Sequence, residues 1–416
     1  MMLKQIEKHL LNETETTFGG LGIAPQLLDA LSKLGFKTPT SIQHKAIPVA
    51  VGGKDIIGIA QTGTGKTLAF GIPLVQKIFK TGKGKGLIIL PTRELALQVN
   101  EFIQKIGRGF GIKTAVLIGG SPIRHQIQTI RNNPHVIIGT PGRINDHIKQ
   151  RTLNLHDVTV LVLDEADRMF DMGFAPQINK ILQVVPKERQ TMLFSATMPD
   201  GIVKIASSHM NLPVRVEIAV SGTTAENIEH ELFVVKKSQK TQLLKKLLEE
   251  YKGSVLIFLR IKFGAKKICN DLRNVGISAA EIHSNRSLGQ RREALEGFKL
   301  GRYRVLVATD IASRGIDVKG IELVINYDLP ENAEDYVHRI GRTGRAGMAG
   351  KAISFVLQDQ GNKVREIERL TRLYLPISKL PDLPVDLNQQ PDNYNSYNKN
   401  NYSSRRNRSK SYGKRR

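Results

Sequence analysis

The chain has 416 residues, 40% of them hydrophobic, a formal net charge of +24 and one cysteine. At roughly 150 residues per domain this predicts two or three domains with large cores. A lone Cys269 excludes an internal disulfide framework and a Cys-rich zinc site, and no apolar run of about 18 residues is present to form a transmembrane helix.

The start, Met1–Lys8, has no long apolar stretch and does not read as a signal peptide; a cytoplasmic location is expected. The excess of cations points to a polyanionic partner, nucleic acid first and an acidic membrane surface second. The plainer alternative is a solvated basic surface.

Along the chain, short β-branched runs alternate with helix-like stretches. The first series is Asp55–Ile59, Leu87–Leu90, Ala115–Ile118, Val136–Ile138, Val160–Leu163 and Met192–Phe194. After a break near Asn211–Asn227, a second series follows at Val255–Leu259, Ala279–Ile282, Val305–Ala308, Leu323–Tyr327 and Ala352–Val356. Brief apolar strands separated by helices predict βαβ units and parallel sheets, hence two α/β domains joined by a short linker. From about Asn388 the chain turns to Asn, Ser, Tyr, Lys and Arg and has too few aliphatics to offset its ordering entropy. Lys399, Arg405, Arg406, Arg408, Lys410, Lys414, Arg415 and Arg416, interleaved with tyrosines, suit either a flexible single-strand binder or a solubilising tail.

The segment Ala60-Gln61-Thr62-Gly63-Thr64-Gly65-Lys66-Thr67 follows a predicted strand and precedes an apolar helix at Leu68–Phe79. Glycines there let backbone N–H groups converge on phosphate oxygens, and the helix adds its positive end. Lys66 is placed to reach the β- and γ-phosphates, and Thr67 to hold Mg²⁺. Ala60 stands at the first position, usually glycine. Asp164-Glu165-Ala166-Asp167 follows the strand Val160–Leu163. A carboxylate there can hold a Mg²⁺ water shell, and Glu165 can orient and deprotonate a water. Alone, this acidic run would read as a solvated helix start; beside the glycine loop, the catalytic reading dominates.

With these two motifs the chain resembles the bacterial type of DEAD-box RNA helicases, within helicase superfamily 2. The resemblance runs in family order along almost the whole length. It implies an α/β fold of two tandem RecA-like domains, each a parallel sheet flanked by helices, with a disordered basic C-terminal tail. The divisions are an extension at 1–17, an ATP-binding domain at 18–212, a linker at 213–228, a second domain at 229–380 and the tail at 381–416. The activity implied is an RNA-stimulated ATPase that unwinds short RNA duplexes and remodels RNA–protein complexes, in ribosome assembly or RNA decay. Its cofactors are ATP and Mg²⁺, its partner is RNA, and it is expected to be a monomer that does not bind membranes.

Residue by residue, Thr38–Gln43 with Phe36 and Phe18 is similar to the adenine-reading Q motif, in which the Gln43 amide bonds adenine and Phe36 stacks on it. Lys66, Asp164, Glu165, Arg342 and Arg345 are the implied catalytic groups. Gln61, Thr62, Gly63, Thr64, Gly65, Lys66 and Thr67 surround the phosphates, Asp317 touches the ribose, and Thr67 and Asp164 hold Mg²⁺, partly through water. Arg342 and Arg345, in His338–Arg345, are arginine fingers for the γ-phosphate. Pro91, Thr92, Arg93, Gly120, Thr140 and Arg143 are RNA contacts of the first domain, and Arg260, Arg291, Thr309 and Arg314 those of the second. Asp167, Ser195, Thr197 and His338 couple hydrolysis to strand separation, with Asp167 pairing across the cleft. Ile261 and Leu288 depart from the family pattern. Cys269 reads as a buried structural thiol, and the scattered histidines show no zinc-ligand spacing. A DNA helicase of the same superfamily, a non-enzymatic RNA clamp and a membrane-peripheral protein are the rival readings.

Overall fold

The computed structural model describes residues 17–60, 63–218, 228–310, 321–344 and 350–383. Among the described residues the strands form two all-parallel sheets. The first holds β1 (Ile56–Ile59), β2 (Lys85–Ile89), β3 (Thr114–Leu117), β4 (Val136–Gly139), β5 (Val158–Leu163), β6 (Gln190–Ser195) and β7 (Val214–Glu217), in the order β3-β4-β2-β5-β6-β1-β7. The second holds β8 (Ile228–Val234), β9 (Val255–Leu259), β10 (Ala279–Ile282), β11 (Val305–Thr309), β12 (Leu323–Asn326) and β13 (Gly350–Val356), in the order β10-β11-β9-β12-β13-β8.

The central strands are apolar on both faces because helices cover both, as a parallel sheet requires. In β9, Val255 to Leu259 are all at most 2% exposed. Each fully buried Leu, Ile or Val contributes about 1.5–3 kcal/mol, so cores on both faces of each sheet fix its register.

The helices that position the site are α1 (Pro25–Lys33), α2 (Ser41–Val51), α3 (Lys66–Thr81), α4 (Arg93–Gly107), α5 (Ile123–Arg131), α6 (Pro141–Lys149) and α7 (Ala166–Asp171). They continue with α8 (Ala175–Val184), α9 (Asp200–His209), α10 (Lys240–Glu250), α11 (Lys262–Asn274), α12 (Leu288–Lys299), α13 (Ala333–Ile340) and α14 (Gly361–Thr371). Helix α3 is longer at both ends than its apolar pattern predicts, because Gly65 (φ 91°) and Gly82 (φ 59°) bound it in left-handed conformations.

Two edge strands were not legible as strands. The expected linker at 213–228 contains β7, which pairs with β1 in the first sheet. Only Val216 of its four residues is buried, so no apolar run marks it. Strand β8 alternates charge with apolar residues at the other sheet's edge. The extension before Thr17 and the tail from 384 onward lie outside the described residues, whereas residues 381–383, assigned to the tail, dock on the second domain through Asp382 O, which accepts from Lys246 Nζ at 2.9 Å, and through Leu383.

Candidate active site and nucleic-acid groove

In open parallel sheets, ligands bind beyond the carboxyl ends of the strands. Every chemistry-bearing segment of the first sheet lies at such an end. Strand β1 runs into Ala60 and the phosphate loop, β5 into Asp164, and β6 ends at Ser195. Strands β2, β3 and β4 run into Pro91, Gly119-Gly120 and Thr140. The strand order therefore separates two sites on one edge. The phosphate loop and the acids share the β5-β6-β1 half, and the expected RNA contacts share the β3-β4-β2 half.

The phosphate loop explains its own composition. Gly63 (φ 88°) and Gly65 (φ 91°) are left-handed, whereas Ala60 is not. Ala60 continues the sheet by donating to Ser195 O at 3.0 Å, and its side chain is buried in the core. Alanine replaces the usual glycine there at no conformational cost. Lys66 is 6% exposed, and its Nζ donates to Ala60 O at 3.0 Å. Gln61 and Thr62 lie outside the described residues.

Gln43 also holds the phosphate loop. Its Oε1 accepts from Thr40 N at 2.9 Å, and its Nε2 donates to Gly65 O at 3.0 Å. The amide expected to bond adenine also ties the start of α2 to the phosphate loop. A second tie runs from Thr40 Oγ1 to Thr64 O at 2.7 Å. A Cβ at Gly65 would fall 2.2 Å from Gln43 Nε2, which explains glycine there. Phe36 keeps an exposed face while its edge meets Phe102, centroids 6.1 Å apart. Phe18 is buried in the core and is structural.

Asp164 and Glu165 are 3% and 5% exposed. Burial, offset in part by Lys66, pushes the Asp164 carboxyl up to about 7. Burial also raises Glu165, but the charges of Arg168 and Lys66 outweigh it and hold this carboxyl at about 2. Glu165 forms a short ion pair with Arg168, which is 3% exposed. Glu165 also sits at φ 51°, ψ 51°, a left-handed conformation that costs a non-glycine residue about 1–2 kcal/mol. Such strain persists where the surrounding structure enforces it, commonly at functional sites.

Among the described residues, Asp167 pairs within its own domain. Its Oδ2 accepts from Ala196 N and Thr197 N, each at 2.9 Å, and from Thr197 Oγ1 at 3.2 Å. Its own N–H donates to Ser195 Oγ at 3.1 Å. Strand β6 lies between β1 and β5, so Ser195–Thr197 bridges the phosphate loop and the acids within one domain.

The second sheet supplies the facing wall. Arg342 is 3% exposed, donates from Nε to His338 O at 3.2 Å, and acts electrostatically on Glu165. His338 lines a small cavity with Arg168 of the first domain and with Asp310, Asp335, Arg339 and Arg342 of the second. Burial and the Arg168 charge pull its imidazole down to about 4, against Asp167 and Glu165. Arg339, which sequence reasoning had not singled out, anchors this wall. It forms a bidentate pair with Asp310 at 2.6 and 2.7 Å and also bonds Asn326 and the Asp328 carbonyl. Arg345, Arg314 and Asp317 lie outside the described residues.

On the other half of the edge is a groove of about 370 Å³. Pro91, Thr92, Arg93, Thr140 and Arg143 line it from the first domain and Arg291 from the second. Thr92 and Thr140 are the N-cap residues of α4 and α6, so two helix N-termini, each favourable to anions, open there. Gly120 supports rather than lines it: at φ 78° a Cβ would fall 2.4 Å from Arg93 Nη1. Burial, then the Arg291 charge, pull the Arg93 guanidinium below its ordinary value. Thr309 ends β11 and is 8% exposed. The structure does not bring Arg260 to this groove; its guanidinium pairs with exposed Glu331 at 2.7 Å, away from the groove's lining.

A phosphate loop faced by an arginine from a second parallel sheet defines a class: nucleotide hydrolases whose site is shared between two tandem RecA-like domains. The sequence matches the DEAD/DEAH box helicase family over residues 40–205 and the helicase conserved C-terminal domain over 239–347. It is 44% identical over 377 residues to DEAD-box ATP-dependent RNA helicase CshA of Geobacillus kaustophilus, covering 90% of this chain and 81% of that one. The chain belongs to the DEAD-box ATP-dependent RNA helicase family.

Two solved structures share this fold. A DEAD box protein from Methanococcus jannaschii is 39% identical, covers 87% of this chain and 99% of its own, and has a TM-score of 0.52. Dbp5 of S. cerevisiae, bound to RNA and ADP BeF3, is 30% identical, covers 87% and 95%, and has a TM-score of 0.78.

Proposed function

We propose that the chain binds ATP on the β5-β6-β1 half of the first sheet and single-stranded RNA on the β3-β4-β2 half, and that hydrolysis drives local separation of RNA strands. The observation that carries this is that both ligand sites lie on one strand edge and both are completed by the second domain, one by Arg342 and the other by Arg291.

Phe36 stacks on the adenine, and Gln43 sets the phosphate loop that receives the phosphates. Lys66 neutralises the β- and γ-phosphates. The Thr67 hydroxyl and Asp164 carboxylate suit a Mg²⁺ ion, since Asp164 is buried with its carboxyl raised to about 7 and a divalent charge would stabilise its anion. That ion would neutralise charge on the phosphates when bound. Glu165, a carboxylate at every physiological pH, accepts a hydrogen bond from the attacking water. It is placed both to orient that water and to accept its proton. Arg342, with Arg345 as its expected companion, places cationic donors on the charge that develops at the γ-phosphate.

In the groove, Arg93, Arg143 and the N-termini of α4 and α6 hold the RNA backbone, contacts that fix register without reading sequence. Each ligand favours the closed arrangement, so each must tighten the other's binding by the same factor. Asp167 links the acids to Ser195–Thr197 and carries the state of the cleft to the strand ends. Structured RNA in ribosome assembly or in decay is the proposed cellular substrate.

The test is the ATPase rate with and without a single-stranded RNA, paired with displacement of a short RNA duplex. Stimulation by RNA and displacement that requires ATP are expected. An ATPase indifferent to RNA, or displacement unaffected by Lys66→Ala, would overturn the reading.

A further inference from the structure

The RNA groove contains a group that phosphate binding does not call for. Among its arginines sits Glu94, in the first turn of α4 and next to Arg93. The groove's other acid, Asp146, is half-exposed and pairs within its own helix with Arg143, at 3.5 Å. Glu94 is 7% exposed, and its ion-pair partner comes from the other domain: Arg291 Nη2 lies 2.8 Å from Glu94 Oε1. The pair is a close approach of charges rather than an aligned hydrogen bond, and Arg291 Nε has no hydrogen-bond partner among the described residues.

The pair belongs to a helix-on-helix interface. Leu288, Arg291 and Arg292 are spaced i, i+3, i+4 on one face of α12. Leu288 packs against the first domain's core, and Arg292 Nη2 lies 3.7 Å from Glu101 Oε1. Glu94 and Glu101 stand two turns apart on one face of α4. In sequence, Leu288 is a departure from the family pattern; in the structure it is an apolar seat for the closed arrangement.

Charge decides what the pair does. With the domains apart, Glu94 leaves an uncompensated carboxylate beside Arg93, where it weakens the field offered to a phosphate. With the domains together, Arg291 cancels that charge. In the closed form, removing either partner would strand the other as a buried charge, which is strongly unfavourable.

We propose that Glu94 gates the groove: it holds RNA affinity down while the domains are apart, and its capture by Arg291 releases Arg93 and Arg143 to grip the backbone on closure. This rests on the reading that the groove carries RNA. Glu94 and Arg291 are positioning residues that convert closure into grip.

The test uses the full chain and a fluorescent single-stranded RNA, titrated without nucleotide and with a non-hydrolysable ATP analogue plus Mg²⁺. Glu94→Gln should bind RNA about threefold tighter than wild type without nucleotide, the size of a released partly exposed charge pair, and should gain less from the analogue. Arg291→Gln should lose about tenfold in affinity with the analogue, because it strands Glu94. In a Glu94→Gln background the same Arg291 change should cost little more. The gate is overturned if Glu94→Gln binds nucleotide-free RNA no better than wild type, or if Arg291→Gln costs as much with Glu94 removed. Wild type that bound no RNA in either condition would defeat the underlying reading and the gate with it; binding that the analogue fails to strengthen defeats the gate alone. Analogue affinity, measured in parallel, confirms that the variants are folded.

Discussion

The two halves of the strand edge are built on different plans. On the nucleotide half, the first domain compensates most of its own charges. Lys66 lies among Asp164 and Glu165, Arg168 pairs with Glu165, and Asp167 is satisfied by Ser195–Thr197. On the RNA half, Glu94 depends on an arginine from the other domain. The first site is largely ready before closure and the second is assembled by it. ATP can therefore be held by one domain, whereas tight RNA binding reports that both have met.

The largest effect that tests this contrast should come from Glu165→Gln. It removes the charge that orients water while leaving the phosphate loop intact. The ATPase should fall by roughly 100-fold or more, the scale of a general-base loss, with ATP and RNA affinities retained. Turnover at the wild-type rate would show that the pre-built half does not carry the chemistry.

Asp167→Asn should come next. It weakens the three hydrogen bonds that Oδ2 accepts from Ala196 and Thr197. Each is worth about 1 kcal/mol net, so strand displacement should fall about tenfold while the ATPase falls less. Equal losses in both would make Asp167 part of the chemistry rather than its link to RNA.

Deleting residues 388–416 should have a smaller effect, confined to salt dependence. The slope of log affinity for single-stranded RNA against log salt should flatten by about 0.7 for each phosphate that the shortened chain no longer neutralises. An unchanged slope would leave the RNA half complete without the tail.

The smallest effect is expected from pH. The His338 imidazole is pulled down to about 4, mainly by burial and by Arg168. In the closed protein it stays neutral, whereas an open or unfolded form takes up a proton near its ordinary value of about 6.5. Closure should therefore be fully favoured above about pH 6.5 and weaken as pH falls from there toward 4. RNA affinity with an ATP analogue should decline between about pH 7.5 and 5.5, on either side of that ordinary value, and His338→Asn should reduce that decline. The same slope in the variant would assign it to another group.

What was legible in the sequence follows from what local pattern can encode. Strands buried on both faces read as continuous apolar runs, and β9 matches the predicted Val255–Leu259. Edge strands β7 and β8 were missed because half of such a strand faces solvent. The phosphate loop and the Asp164–Asp167 run were legible because glycine spacing and adjacent acids are local. The loop-holding role of Gln43 and the role of Glu94 were not, because each is set by a partner that only the fold brings near: Gly65 and an arginine of the other domain. Ala60 looked like a departure only because backbone angles are not written in the sequence.

The central claim is that hydrolysis needs a charge from the second domain at the first domain's phosphate loop. The direct measurement is kcat for ATP hydrolysis at saturating RNA in Arg342→Ala. A fall of about 1,000-fold, the scale of an arginine finger, with ATP still bound is the predicted result. A wild-type kcat in that variant would contradict the account.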